Sequence, residues 1–369
     1  MKNIQMIYDS RAMIFIFGMM ISLGFVLLDG ISLFALPLLR ISYGGERLPF
    51  LALSFLRGAI FILWLVLYGV IVIYHSLLSG NIAFRSKTIF QFPIWLLLGL
   101  NLLLFAFVIY SFYIEPSRLT VSRITVEVPG LNQSVRIVQL SDIHVERASR
   151  RDLALPRLVD NLHPDMIVLT GDYLNESYKK NQTSQQDMRD LITQLHAPLG
   201  IYAVNGNVET RAKMENVFSG LDVHLIENEV VRISQLGEHF VLLGLEYTNW
   251  HADKDILISL MSQVKPNDFI ILLYHKPDLA YTARDLDIDL YLSGHTHGGQ
   301  FRLPFYGALI TDSRFHKTFE KGLYHLDNTI MYVSRGLGMA GGFIPRVRFL
   351  SPPEVVIIDL VPTELQNGH

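Results

Sequence analysis

The sequence predicts an α/β domain preceded by three membrane-spanning helices. Two observations carry this. Hydrophobic residues make up 50% of the 369-residue chain and charged residues only 18%, more apolar and less charged than an ordinary soluble protein. The excess is confined to residues 1–115, which hold 7 Lys and Arg and 4 Asp and Glu, against 24 and 30 in the remainder. From Pro116 onward, short apolar runs alternate with helical patterns, which implies α/β layering. The expected division is a membrane region at 1–115, one domain at 116–361, and a fraying tail at 362–369.

The membrane region contains three apolar runs. Met13–Leu39 is broken only by Asp29 and by Pro37 near its end, and Gly58–Leu78 and Phe92–Ile114 contain no Asp, Glu, Lys or Arg. About 20 apolar residues suffice to cross a bilayer core, and core helices of soluble proteins rarely run so long without a polar face. The first run is too long for a cleavable leader, and two more follow it. A multi-pass integral membrane protein is therefore expected. Its sidedness is not readable. Lys2, Arg11, Arg85 and Lys87 on one side balance Arg40, Arg47, Arg118 and Arg123 on the other, and the positive-inside rule needs a bias. Arg57 opens its run, where it is placed to snorkel to the interface. Asp29 lies deeper, and an Asp29–Arg57 pair is the specific hypothesis. With only Asp29, Arg57, Asn101 and a few Ser in the spans, a channel or transporter is disfavoured.

The chain has no cysteine, so any metal site must use His, Asp, Glu, Asn or water, which suits harder or borderline divalent ions. Strands are expected at Val135–Leu140, Met166–Thr170, Ile201–Val204, Phe240–Leu245, Phe269–Tyr274, Asp289–Leu292, Met331–Val333 and Val355–Leu360. Helices are expected at Arg150–Leu162, Gln185–Leu195, Arg211–Phe218, Lys254–Val264 and Pro277–Arg284. The first strand starts about 21 residues after Ile114.

Five motifs follow strand ends: "LSDIHVE" with Asp142 and His144, "VLTGDYLN" with Asp172, "NGNVET" with Asn207, "LLYHKPD" with His275, and "LSGHTHGGQ" with His295 and His297. Residues two apart leaving a strand project to one side, so Asp142 and His144 could both ligate one ion. A lone histidine at a strand end is more often a hydrogen-bonded structural residue. Five such ends in succession are different, because α/β sheets bind ligands beyond their C-terminal strand ends. Glycines at 171, 206, 294, 298 and 299 allow tight turns around a compact site.

In this order the motifs D-x-H, G-D, G-N, H and G-H-x-H resemble those of calcineurin-type metallophosphoesterases, in a branch of membrane-attached bacterial phosphohydrolases that includes UDP-2,3-diacylglucosamine pyrophosphatases. The resemblance covers about Val135 to Gln300, and "YVSRGLGMAGGFIPRVRFLSPPEVVIIDL" is also similar to that branch. It implies a two-sheet β-sandwich flanked by helices and two divalent metal ions, Mn, Fe, Zn or Co. One ion would be held by Asp142, His144, Asp172 and His297, the other by Asp172, Asn207, His275 and His295, with Asp172 bridging. Asp172, Asn207 and His295 would be central to catalysis, in which a metal-activated hydroxide attacks phosphorus in line with the leaving group. Arg335, in "SRGLG", and His251 are candidate phosphate or aglycone contacts. The implied substrate is a phosphate-containing small molecule or lipid at a bacterial inner membrane. No nucleic acid is expected, since residues 116–369 are net acidic.

The family pattern usually places a histidine after Gly-Asn, and here Val208 stands there. Valine has neither donor nor acceptor on its side chain. General-acid help at that position is therefore absent, which matters least when the leaving group is already a weak base. Hydrolysis of a pyrophosphate or an activated phosphodiester is favoured over that of alkyl monophosphates. Glu209 or Tyr173 would be the alternative proton source. The competing reading is a catalytically weak domain that senses a nucleotide or phospholipid, against which stands the retention of every proposed ligand.

Overall fold

A computed structural model describes residues 2–41, 47–78, 87–234, 239–340 and 346–363. Arg85, residues 341–345 of the resembling stretch and the expected tail from 364 lie outside the described residues. The chain forms two compact units. A helical unit takes the chain up to Tyr113, apart from the turn after its first helix, and a second unit begins at Ile114.

The helical unit contains α1 (Lys2–Ala35), α2 (Arg47–Leu78) and α3 (Lys87–Ile109), the last running into a π turn at Tyr110–Ile114 and a 3-10 turn at Glu115–Ser117. The segments Met13–Ala35, Pro49–Tyr74 and Pro93–Ser117 are long and apolar enough to cross a membrane. The first helix stops before the expected Leu39. Pro37 lacks an N–H and disfavours helical geometry in the residue before it.

The second helix starts well before Gly58, and this corrects the reading of Arg57. A run counted from its first charge-free residue excludes the apolar turns before Arg57. In the structure those turns are helix, so Arg57 is interior and fully buried, as are Asp29 and Asn101. Its Nη2 donates to Asp29 Oδ1 at 2.7 Å and its Nε to the other carboxylate oxygen. Its Nη1 donates to Asn101 Oδ1 at 2.8 Å and to the Asn101 carbonyl at 3.2 Å. The guanidinium also sits 4.9 Å from the Phe25 ring centroid. The hypothesised pair is thus present, and the snorkelling is not.

The second unit runs β1 (Thr120–Val128), β2 (Val135–Leu140), α4 (Arg150–Asn161), β3 (Met166–Thr170), α5 (Gln182–Ile192), β4 (Ile201–Val204), α6 (Arg211–Phe218), β5 (His224–Leu225), β6 (Glu229–Ile233) and β7 (Phe240–Gly244). It continues with α7 (Trp250–Met261), β8 (Ile270–Leu273), a 3-10 turn at Pro277–Leu279 leading into α8 (Ala280–Asp285), β9 (Leu290–Ser293), β10 (Arg302–Leu303), β11 (Gly307–Ala308), β12 (Gly322–Leu326), β13 (Thr329–Val333) and β14 (Glu354–Pro362).

Two six-stranded sheets form, in the orders β1-β14-β2-β3-β4-β5 and β12-β13-β9-β8-β7-β6. Strands β2, β3 and β4 run parallel, as do β7, β8, β9 and β13. Successive side chains of a strand face opposite sides, and both sides are buried here. Ile137, Val168 and Val204 of the first sheet pack against Leu242, Ile271 and Leu292 of the second. On the first sheet's other face Val138, Leu140 and Leu169 meet Leu155, Val159 and Leu191 of α4 and α5. On the second sheet's outer face Leu243 and Leu272 meet Leu257, Leu260 and Ala283 of α7 and α8. The result is a four-layer, two-sheet sandwich flanked by helices, the architecture the sequence resemblance implied.

Helices α5 and α7 begin earlier than their apolar periodicity suggested, because side chains cap them. Asn181 accepts from Ser184 N, and Asn249 from Ala252 N. Strand β1 was not anticipated, and its start at Thr120 shortens the expected interval between Ile114 and the first strand.

Candidate metal centre

Seven of the residues singled out by the motifs lie just beyond the C-terminal ends of five interior strands. Asp142 and His144 follow β2, Asp172 follows β3 and Asn207 follows β4 in the first sheet. His275 follows β8, and His295 and His297 follow β9, in the second. Polar links tie these ends together across the sandwich. Gln139 Nε2 donates to Thr170 Oγ1 and to the Ser293 carbonyl, both at 3.0 Å. His295 N donates to both carboxylate oxygens of Asp142 at 3.0 Å. Close approach of the β3 and β4 loops requires glycine. A Cβ on Gly171 would lie 2.7 Å from Gly206 backbone atoms, and one on Gly206 would overlap the Asp172 carboxylate. Five of the seven residues adopt left-handed backbone: Asp142 (φ 50°), His144 (48°), Asp172 (55°), His295 (68°) and His297 (52°).

The side chains gather into two triads, Asp142–His144–His297 and Asp172–His275–His295, all buried. His295 and His297 therefore fall in different triads. Asp172 connects the triads. Its Oδ2 lies 3.6 Å from His144 Nε2 and 3.4 Å from His275 Nε2.

The second triad shows why a cation belongs there. His275 Nδ1 is 2.8 Å from the Thr170 carbonyl, which only accepts, so Nδ1 carries a proton. Neutral His275 then turns a lone pair on Nε2 toward Asn207 Oδ1 at 3.0 Å, His295 Nδ1 at 3.1 Å and Asp172 Oδ2 at 3.4 Å. His295 Nε2 faces Asp312 Oδ2 at 3.1 Å, which places its proton there and its lone pair on Nδ1. Asn207, His295 and Asp172 thus each turn an electron pair toward the His275 lone pair. Separations of 3.0–3.4 Å are what two ligands of one ion show when each bond is about 2.0–2.2 Å. In the first triad His144 Nε2 and His297 Nε2 are 3.1 Å apart, and Asp142 Oδ1 is 3.6 Å from His297 Nε2. The donor set is nitrogen and oxygen only, suited to two borderline divalent ions sharing a carboxylate.

Electrostatics agree. Burial holds His144 down to about 4 against the pull of Asp172, and lowers His295 and His297 as well. These imidazoles are neutral at physiological pH and ready to bind metal. Burial also acts to lower His275, but the charge of Asp172 and its hydrogen bond outweigh it and raise this group to about 9. A proton thus occupies His275 Nε2 when no metal does. Burial raises Asp142 to about 6 despite His275.

The two remaining candidates belong to neither triad. Arg335 is committed elsewhere: its Nη2 donates to Glu354 Oε1 at 2.8 Å and Thr120 Oγ1 at 3.1 Å. His251 is exposed on the first turn of α7 with its ring edge against Trp250, 4.7 Å between centroids, and joins neither triad.

Val208 is buried, and its N–H donates to Asp172 Oδ1 at 3.1 Å. Both alternative proton sources are bonded to backbone groups. The Tyr173 hydroxyl lies 2.6 Å from the Val204 carbonyl within the core. Glu209 accepts from the backbone N–H groups of Asp172 (3.1 Å), Tyr173 (2.7 Å), Leu174 (3.2 Å) and Gly206 (3.2 Å). It is a clamp between two ligand loops. Asp312, which orients His295, escaped the sequence reading. It sits in a loop with no periodicity and no motif.

Residues 135–299 match the family model for calcineurin-like phosphoesterases. The uncharacterized metallophosphoesterase YkuE of Bacillus subtilis is 31% identical over 275 residues, covering 69% of this chain and 90% of its own. An uncharacterized metallophosphoesterase of Helicobacter pylori is 30% identical over 323 residues, 84% of this chain and 81% of that one. The UDP-2,3-diacylglucosamine pyrophosphatase LpxG of Chlamydia muridarum is 25% identical over 313 residues, 68% of this chain and 92% of its own.

Proposed function

Because the chain belongs to the metallophosphoesterase family, we propose that it is a two-metal phosphohydrolase that cleaves a pyrophosphate or activated phosphodiester bond in a membrane-borne lipid intermediate. UDP-2,3-diacylglucosamine, named for a relative, is the best single candidate. The protein is read as a multi-pass component of a bacterial inner membrane, on the strength of three helices long and apolar enough to cross one. The carrying observation is the gathering of buried His and Asp ligand atoms into two triads beside an apolar Val208.

Asp142, His144, Asp172 and His297 would hold one ion and Asp172, Asn207, His275 and His295 the other. Two such ions supply Lewis acidity to phosphoryl oxygens and a lowered pKa for water. The chain's own residues do the rest. Asp172 supplies a shared negative charge at the middle of the site. The Thr170 carbonyl and Asp312 fix the tautomers of His275 and His295, so that the correct nitrogen of each faces inward. Asn207, exposed at the rim, is the ligand nearest the solvent from which substrate arrives. Val208 offers no proton to a departing oxygen, and Tyr173 and Glu209 are hydrogen-bonded to backbone. A nucleoside monophosphate or aryloxide departs without that help, whereas an alkoxide does not.

The test is hydrolysis by the purified full chain, wild type and Asp172→Ala, with manganese, on bis-p-nitrophenyl phosphate, a UDP-diacyl-sugar lipid and glycerol phosphate. Turnover of the first two, lost in Asp172→Ala, is expected. Comparable turnover of glycerol phosphate would overturn the leaving-group argument. Inactivity on all three with metal bound would favour the sensor reading.

A further inference from the structure

Between the metal-ligand loop and Asp312 the chain makes a short hairpin, β10–β11, that the proposed chemistry does not use. Its side chains are apolar and turned outward: Leu303 is 41% exposed, Phe305 111%, Tyr306 59%, Leu309 48% and Ile310 79%. Single exposed apolar residues are ordinary, but such a cluster in one short segment marks an interaction surface. The tip is presented on a braced base. Glu320 accepts from Arg302 Nη2 at 2.7 Å and from Ala308 N at 3.1 Å, and Arg302 Nη1 donates to the Gly298 carbonyl at 2.7 Å. Phe305 holds a left-handed backbone (φ 63°), a conformation an aromatic residue seldom adopts, with its ring in solvent.

The surroundings of the tip are basic. Residues 302–321 hold four Lys and Arg against two Asp and Glu, in a domain whose balance is 24 against 30. Lys317 Nζ lies 3.5 Å from the Tyr306 ring centroid and donates to the Tyr306 carbonyl at 2.5 Å, while exposed Arg314 stacks its guanidinium 3.9 Å from the Trp250 ring centroid on α7. An apolar tip with a basic collar fits a bilayer interface. Aromatic and aliphatic side chains enter the acyl boundary there, and cations meet anionic headgroups. The collar disfavours a second copy of the same face, which would oppose like charges.

We propose that the β10–β11 hairpin docks this domain onto an anionic lipid bilayer, with Phe305, Tyr306 and Ile310 entering the interface and Lys317 beside them meeting headgroups. The docking would place lipid beside the metal-ligand loop that begins at His295.

The absence of native cysteine makes the test clean. Phe305→Cys and Ile310→Cys, and as comparator Ile258→Cys on α7, each carry an environment-sensitive NBD label in the full chain. The chain is reconstituted in nanodiscs of equal phosphatidylcholine and phosphatidylglycerol, or of phosphatidylcholine alone, with and without acyl-chain nitroxide lipid. The labels at 305 and 310 should emit to the blue and be roughly halved by nitroxide lipid, less so without phosphatidylglycerol, while the label at 258 is unaffected. Aqueous emission at 305 and 310 would overturn the proposal. So would a blue shift that lipid nitroxide fails to quench, which would assign the face to protein contact. Equal quenching in the two compositions would remove the anionic preference.

Discussion

Removing either partner of the Asp29–Arg57 pair should unfold the helical unit far more readily than removing both. Arg57→Met leaves a fully buried carboxylate with no cation, and stranding a buried charge costs about 3–5 kcal/mol. Asp29→Asn leaves the guanidinium with Asn101 and the new amide as neutral acceptors, so its loss falls near the lower end, about 3 kcal/mol. The double substitution Asp29→Leu with Arg57→Met buries no charge, and replacing a buried ion pair by apolar residues is often neutral or stabilising. Part of the Phe25 contact is lost in it, about 0.5–2 kcal/mol. Each single variant should therefore lie at least about 1 kcal/mol below the double in stability. The assay is ellipticity of the purified full chain during titration of mixed micelles with sodium dodecyl sulfate, comparing midpoints for the four proteins. If Asp29→Asn unfolds at the wild-type midpoint, or if the double variant is no more stable than Arg57→Met alone, the pair does not hold the helices together.

Other expectations concern the second unit. Metal uptake near neutral pH should release a proton, because His275 is protonated below about 9 in the metal-free site and must lose that proton to bind. Calorimetry in buffers of different ionisation enthalpy reads the release, affinity should rise with pH toward about 9, and a flat profile would contradict the assignment. Asp312→Ala should weaken binding of one ion only, by about tenfold; orienting partners are worth roughly 10–100-fold, and Asp312 is 81% exposed, which favours the lower figure in a metal titration. Val208→His should raise turnover of glycerol phosphate by up to about 10²-fold relative to p-nitrophenyl substrates, the low end of general-acid assistance; an unchanged ratio would show that the leaving-group preference has another origin. Glu209→Ala strands four backbone donors, each worth about 1–3 kcal/mol when buried and unpaired. Some will recruit water, so thermal unfolding should still show a loss of several kcal/mol together with reduced metal content by elemental analysis.

The eight strands expected from the sequence are the eight interior strands of the two sheets. Interior strands are covered on both faces and read as continuous apolar runs such as Ile270–Leu273. The strands that escaped, β1, β5, β6 and β12, are the four sheet edges, together with the small β10–β11 hairpin. Edge strands carry polar residues on an exposed face, as Arg123 and Glu127 do in β1, and so resemble loops to a search for apolar runs. The ligand cluster was legible because metal chemistry restricts residue type and the sheet restricts position. Asp312 and the clamp made by Glu209 were not, since a hydrogen bond to a ligand or a loop needs only an acceptor in reach. Arg57 was misjudged for a related reason: sequence shows that a charge interrupts an apolar run, but not whether a partner on another helix will meet it.

The left-handed backbone at Asp142, His144, Asp172, His295 and His297 bears on how this protein would respond to selection. Each such residue costs about 1–2 kcal/mol relative to ordinary geometry. Together they approach the whole net stability of a typical domain, about 5–15 kcal/mol. Glycine at any of them would relax the backbone and delete a ligand in the same step. A library screened for heat resistance alone would therefore drift toward glycine at the centre of its own chemistry, and only a screen that also demands metal or turnover would keep the site.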